Sequence, residues 1–105
     1  MALQKIKSEI KKFEKLQDKY VDYGAGDTEP DYIFQWILAN GVTNKPLTFN
    51  KFDAQQWEIY SQPGADKAAQ ALTKQAKTCY SLIRQHHKDP EIRQHVAEYC
   101  WRITI

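Results

Sequence analysis

A chain of 105 residues with a formal net charge of +2, 27% charged and 42% hydrophobic residues is long enough to bury one modest core and too short for two. That balance excludes an intrinsically disordered chain, and no apolar run approaches the ~20 residues of a membrane-spanning helix. The charge is unevenly spread: residues 1–20 hold six Lys against three acids, residues 21–62 two Lys against six acids, and residues 63–88 five basic residues against Asp66 alone. Such an order suits a protein with one face for a polyanion and another, acidic or aromatic, for protein partners.

The opening MALQKIKSEIKK carries lysines but no uninterrupted apolar stretch and no small-residue cleavage pattern, so the expectation is a cytoplasmic protein without a secretory signal. In that compartment Cys79 and Cys100 are expected as free thiols acting as small buried hydrophobes, not as a disulfide. Over residues 2–21, Leu3, Ile6, Ile10, Phe13 and Tyr20 recur at helical spacing with Leu16 widening the stripe, which predicts an amphipathic helix. Its outer face carries Lys5, Lys12 and Lys19 at seven-residue steps, flanked by Lys11 and Lys15 and interspersed with Glu9, Glu14 and Asp18. A solvated helix with mixed ion pairs is the plainer reading of that face.

Residues 22–30, DYGAGDTEP, read as a linker. Their Gly-Ala-Gly follows no strand and precedes no Lys-Ser/Thr pair, so it is not a phosphate loop. Thr28 suits an N-cap, with Pro30 in the first turn and Asp31 near the positive end of a helix over 29–40. That helix is expected to end at Gly41 in a left-handed cap. Ile33, Phe34, Trp36, Ile37 and Leu38 cover more than half its circumference, placing it either at the centre of the core or partly inside a neighbour. The connection over 41–52 brings Pro46, Leu47, Phe49 and Phe52, all in need of cover. Asp53 with Gln56 has capping-box spacing and Phe52 with Trp57 that of a hydrophobic staple, predicting a short helix over 54–61 stopped by Pro63 and Gly64.

The longest predicted helix spans 65–88. At about 100° per residue, Ala65, Ala68, Leu72, Ala76, Cys79 and Ile83 share one arc, and Lys67, Lys74, Lys77, Arg84 and Lys88 lie roughly opposite. No acid separates Asp66 from Asp89, so the helix forgoes the i,i+4 ion pairs that ordinarily support a solvated face. A last helix over 90–102 follows, with Asp89 as N-cap, Pro90 at the first position, and Ile92, Val96, Tyr99 and Cys100 at helical spacing. No segment alternates with period two. The predicted fold class is all-α, a single bundle of about five helices.

Cys79, Cys100, His86, His87 and His95 supply the residue types of a thiol nucleophile or a zinc site, yet their spacings match neither. Cys79 falls on the core face, where a thiolate is disfavoured, and the carboxylates concentrate in caps and turns. The expectation is therefore a protein that is not an enzyme and carries no metal or cofactor. What remains is a binding surface: Lys67, Lys74, Lys77, Arg84 and Lys88, joined by Lys12 and Lys19 if the first helix packs alongside, would meet phosphates without reading bases. Gln70, Gln75, Ser81 and Gln85 could add hydrogen bonds. A helix-turn-helix is disfavoured, because about a dozen residues separate helices two and three. A merely solvated face is the plain alternative, as a half-buried bundle position is for Tyr80, the best candidate for base stacking.

With its lysine-rich first helix, acidic and aromatic middle, one-sidedly basic long helix and YCWRITI terminus, the chain resembles the small subunit of CRISPR interference complexes. It is especially similar to the version made from the C-terminal helical region of a large subunit in type I-D and related systems. The resemblance implies a non-catalytic subunit that holds target DNA or the R-loop by backbone contacts, with DNA or a guide RNA–DNA hybrid, other subunits and copies of itself as partners, and no membrane. R-loop formation is nearly balanced in pairing energy, so modest protein contacts can tip it. The rival expectation is a helical protein adaptor or inhibitor that uses the second helix and the 41–52 connection, with no nucleic-acid role.

Overall fold

A computed structural model describes residues 2–20, 22, 30–47, 57, 59 and 62–100. They form four helices, α1 (Ala2–Lys19), α2 (Pro30–Val42), α3 (Ala65–Gln85) and α4 (Pro90–Tyr99), and among the described residues there is no strand. The all-α class holds, with four helices described where about five were expected. The short helix predicted over 54–61 lies outside the described residues apart from Trp57 and Ile59, neither of which is helical.

Helix α3 is the central element, packed against both α1 and α2, while α4 packs on α2. Helices α1 and α3 run antiparallel: Gln62, just before α3, donates to the Asp22 carbonyl at 3.2 Å beyond the end of α1, and Gln75 meets Glu9 at mid-length. Helices α2 and α4 are antiparallel as well, with Arg93 Nη1 donating to the Val42 carbonyl at 3.2 Å and Cys100 Sγ to the Gln35 carbonyl at 3.4 Å.

The six residues expected on the inner arc of α3 are all buried, joined by Ala69 and Tyr80. Ile6, Ile10 and Phe13 bring α1 into the same core, and Phe34, Ile37 and Leu38 bring α2. The Phe13 and Phe34 rings stack with centroids 3.7 Å apart, Tyr99 meets Phe34 edge-on at 5.8 Å, and Trp57 lies 5.6 Å from Phe13. The two wider contacts fall in the range of about 4.5–7 Å in which aromatic pairs contribute about 0.5–1.5 kcal/mol each beyond the area they bury. Trp57 is buried, and its indole Nε1 donates to Thr73 Oγ1 at 2.8 Å, which satisfies the polar edge of the ring.

Helix α1 ends at Lys19, short of the expected 21, and three further helix ends differ from expectation. Gly41 does not stop α2, which continues to Val42. The stop is a Schellman motif two residues later: Asn44 has φ 57, its N–H donates to the Gly41 carbonyl and the Lys45 N–H to the Asn40 carbonyl. Gly41 instead allows close helix approach, because a Cβ there would lie 3.1 Å from Ile83 Cγ2 and 3.3 Å from the Tyr80 carbonyl oxygen. Helix α3 stops at Gln85, not Lys88. Asp89 precedes Pro90 and is extended at φ −70, ψ 118, as the proline ring demands. Residues 86–88 form the turn between helices, with the Asp89 N–H donating to the His86 carbonyl at 2.9 Å. Helix α4 starts as predicted, Asp89 Oδ1 accepting from the Glu91 N–H at 2.9 Å, and ends at Tyr99, short of 102.

Candidate polyanion-binding groove

Where α1 and α3 lie side by side, their outer edges enclose an open groove of about 520 Å³ lined by Lys5 and Glu9 of α1 and by Lys74, Lys77, Thr78, Ser81 and Leu82 of α3. Spacings of three and four residues place the α3 set on one strip beside the buried arc of Leu72, Ala76, Cys79 and Ile83. Lys5 and Glu9 are one turn apart on the facing edge of α1.

Glu9, expected on the solvated face of α1, is only 7% exposed. Gln75 Nε2 donates to its carboxylate at 2.7 Å and lies 2.8 Å from its backbone carbonyl, and Lys12 Nζ closes an ion pair at 3.2 Å. The Gln75 hydrogen bond holds the Glu9 carboxyl below its usual range, opposed by burial and aided by Lys12 and Lys5. The carboxylate therefore stays ionised with its charge already answered. Lys5, Lys74 and Lys77 are exposed around it and give the groove its positive sign.

The seven residues predicted to meet a polyanion do not form one surface. Lys74 and Lys77 line the groove. Lys67 is exposed on α3 one seven-residue step before Lys74, outside the lining. Lys12 is bound to Glu9, and the Lys19 ammonium lies 5.4 Å from the centroid of the Tyr20 ring. Lys88 is exposed but stands in the turn after α3, off the helical stripe on which it was placed.

Arg84 turns toward the end of α2. Its Nε donates to Asn44 Oδ1 at 2.9 Å and its Nη1 to the Tyr80 hydroxyl at 3.1 Å. Tyr80 is 5% exposed and donates to the Lys45 carbonyl at 2.6 Å, so its ring is a bundle residue and not a platform for a base. Arg84, Tyr80 and Asn44 together fasten the Schellman turn to α3.

Sequence reasoning left Lys5 out of the site, although it lies seven residues before Lys12 and so shares its edge of α1. The burial of Glu9 had a weaker signal: it is three residues from Ile6 and four from Phe13, on the margin of the apolar stripe. Both cysteines are free and buried, and burial raises each thiol to about 12, with the charge of Glu9 adding to the effect at Cys79. Neither is a thiolate near neutral pH. Among the described residues no three of His, Cys, Asp and Glu converge on a metal position, and no helix is long and apolar enough to cross a membrane.

Comparison with protein-family models, with curated proteins and with solved structures finds no match, so the groove is described by its own geometry.

Proposed function

We propose that this chain is a non-catalytic module that holds a nucleic-acid backbone in the α1–α3 groove, without reading base sequence. The observation that carries the reading is the arrangement of Lys5, Lys74 and Lys77 around a groove whose lining carboxylate, Glu9, is buried and bound by Gln75 and Lys12. Ammonium groups reach the groove from both helices, so a strand laid along it meets positive charge on either side, and Ser81 in the same lining offers a hydroxyl donor. Contacts of this kind act by releasing counterions. Three lysines on three phosphates give a slope of log K against log salt of about −2.7 on B-form DNA.

The wider role that follows is that of a small subunit in a CRISPR effector complex, steadying target DNA or the R-loop alongside other subunits. Its support is the resemblance in charge order together with the all-helical fold and the exposed Lys67, Lys74 and Lys77 on α3. Fluorescent single- and double-stranded DNA titrated across a salt series tests the binding itself, with the Lys74→Glu/Lys77→Glu double variant as control.

One feature favours a second reading, a protein adaptor: Trp36 on α2 is 40% exposed, and large aromatic residues are enriched where proteins meet. A partner retained without nucleic acid and lost on Trp36→Ala, with DNA binding intact, would select it.

A further inference from the structure

A second concavity, of about 360 Å³, lies between α1 and α4, within the range of about 300–1,000 Å³ that small-molecule sites occupy. It is independent of the α1–α3 groove. At about 100° per residue, Lys7 and Lys11 point to the other side of α1 from Lys5 and Lys12. Two i,i+4 pairs face each other across the cleft: Lys7 with Lys11 on α1, and the rings of His95 and Tyr99 on α4. Like charges one turn apart repel, so the lysine pair is unfavourable by itself and relieved by an anion. Tyr99 is held edge-on against Phe34, which fixes its ring from the core side. Ile10 supplies an apolar floor and Ser8 a hydroxyl donor.

The charge balance separates this cleft from a polyanion track. Two lysines stand against one acid, Glu14, in the lining, which suits a single anionic group better than a strand of phosphates. A ligand matching both walls carries one phosphate for Lys7 and Lys11 and one flat ring for His95 and Tyr99. We propose that the α1–α4 cleft binds a small organic phosphate bearing a planar ring, the chemical class of a nucleoside monophosphate.

His95 provides a readout. Burial lowers its pKa, Lys7 lowers it further, and Glu98 on the same helix opposes; Lys11 and Glu14 face the cleft from α1. A phosphate seated on Lys7 and Lys11 offsets the Lys7 charge that lowers the His95 pKa and so raises it, and binding takes up a proton at pH values between the free and bound pKa of His95.

The test is an NMR titration of the full chain with adenosine 5′-monophosphate, following backbone amides and the His95 ring. The expected result is saturable shifts at Lys7, Ser8, Lys11, His95 and Tyr99, a raised His95 pKa in the complex, and about tenfold weaker binding by the Lys7→Ala/Lys11→Ala variant, whose spectrum stays folded. Adenosine and inorganic phosphate should each bind about tenfold more weakly than the nucleotide. The proposal is overturned if these resonances stay still at millimolar nucleotide, or if inorganic phosphate binds as tightly. It is overturned too if duplex DNA displaces the nucleotide and shifts the same residues, because the cleft is then part of a backbone-binding surface.

Discussion

Gln75 of α3 donates to the Glu9 carboxylate of α1 at 2.7 Å, and this contact ties the register of the two helices together while giving the one carboxylate in the groove lining a hydrogen-bond donor. Replacing Gln75 by Leu leaves a buried carboxylate with one donor fewer. The expected loss is about 1–3 kcal/mol in urea unfolding, with the Glu9 pKa rising. Glu9→Gln, which keeps a hydrogen-bonding side chain in place, should be milder.

Two groups make the fold sensitive to acid. His95 has a folded pKa below its ordinary 6.5 and Glu9 one below its ordinary 4.5. In each window the unfolded chain binds more protons than the folded one, so stability falls as pH drops. The contribution of His95 is present above pH 6.5 and is lost as pH falls through its folded pKa; that of Glu9 is present above 4.5 and lost in the same sense lower down. Thermal midpoints measured against pH should decline in two stages, and His95→Gln should remove the upper one.

The approach of α2 to α3 depends on the missing side chain of Gly41. Alanine in mid-helix is ordinarily better than glycine by about 1 kcal/mol. Here its Cβ would press on Ile83 Cγ2 at 3.1 Å and on the Tyr80 carbonyl oxygen at 3.3 Å. Backbone cannot yield cheaply, so overpacking of about 1–3 kcal/mol is expected to win and Gly41→Ala to destabilise. Ile83→Leu removes the β-branch methyl, Cγ2, that is in the way, and the double variant should unfold at higher urea than additivity predicts.

Much of the fold was legible because periodicity reports burial directly. The arc from Ala65 to Ile83, the Ile6–Ile10–Phe13 stripe and the Asp89–Pro90 start of α4 all follow from spacing and capping chemistry. The end of α2 was not legible, since glycine serves both a left-handed cap and a close helix approach. Only the neighbouring Ile83 decides between them. The site was read less well than the fold. A helical wheel places Arg84 and Lys12 with their basic neighbours, but it is blind to the partner helix that takes the first to Asn44 and the second to Glu9. It could not place Lys5 beside Lys74 without the antiparallel register of α1 and α3.

Arg84 and Lys77 should therefore separate two roles that the sequence alone merges. Arg84→Ala removes the donors to Asn44 and Tyr80 and is expected to lower stability by about 1–2 kcal/mol, with DNA affinity changed little. Lys77→Glu should do the reverse, leaving the unfolding midpoint near its original value while weakening DNA binding. Paired urea and fluorescence-anisotropy measurements on the two variants check this.

The proposed role of Lys5, Lys74 and Lys77 is to hold a nucleic-acid backbone in the α1–α3 groove. Its most direct test is the salt dependence of DNA affinity for the original chain and for Lys5→Ala, Lys74→Ala and Lys77→Ala. The expected slope of log K against log salt is about −2.7, reduced in magnitude by about 0.9 in each variant, with affinity that does not change with base sequence. A slope that the three substitutions leave unchanged, or no binding to DNA at low salt, would contradict it.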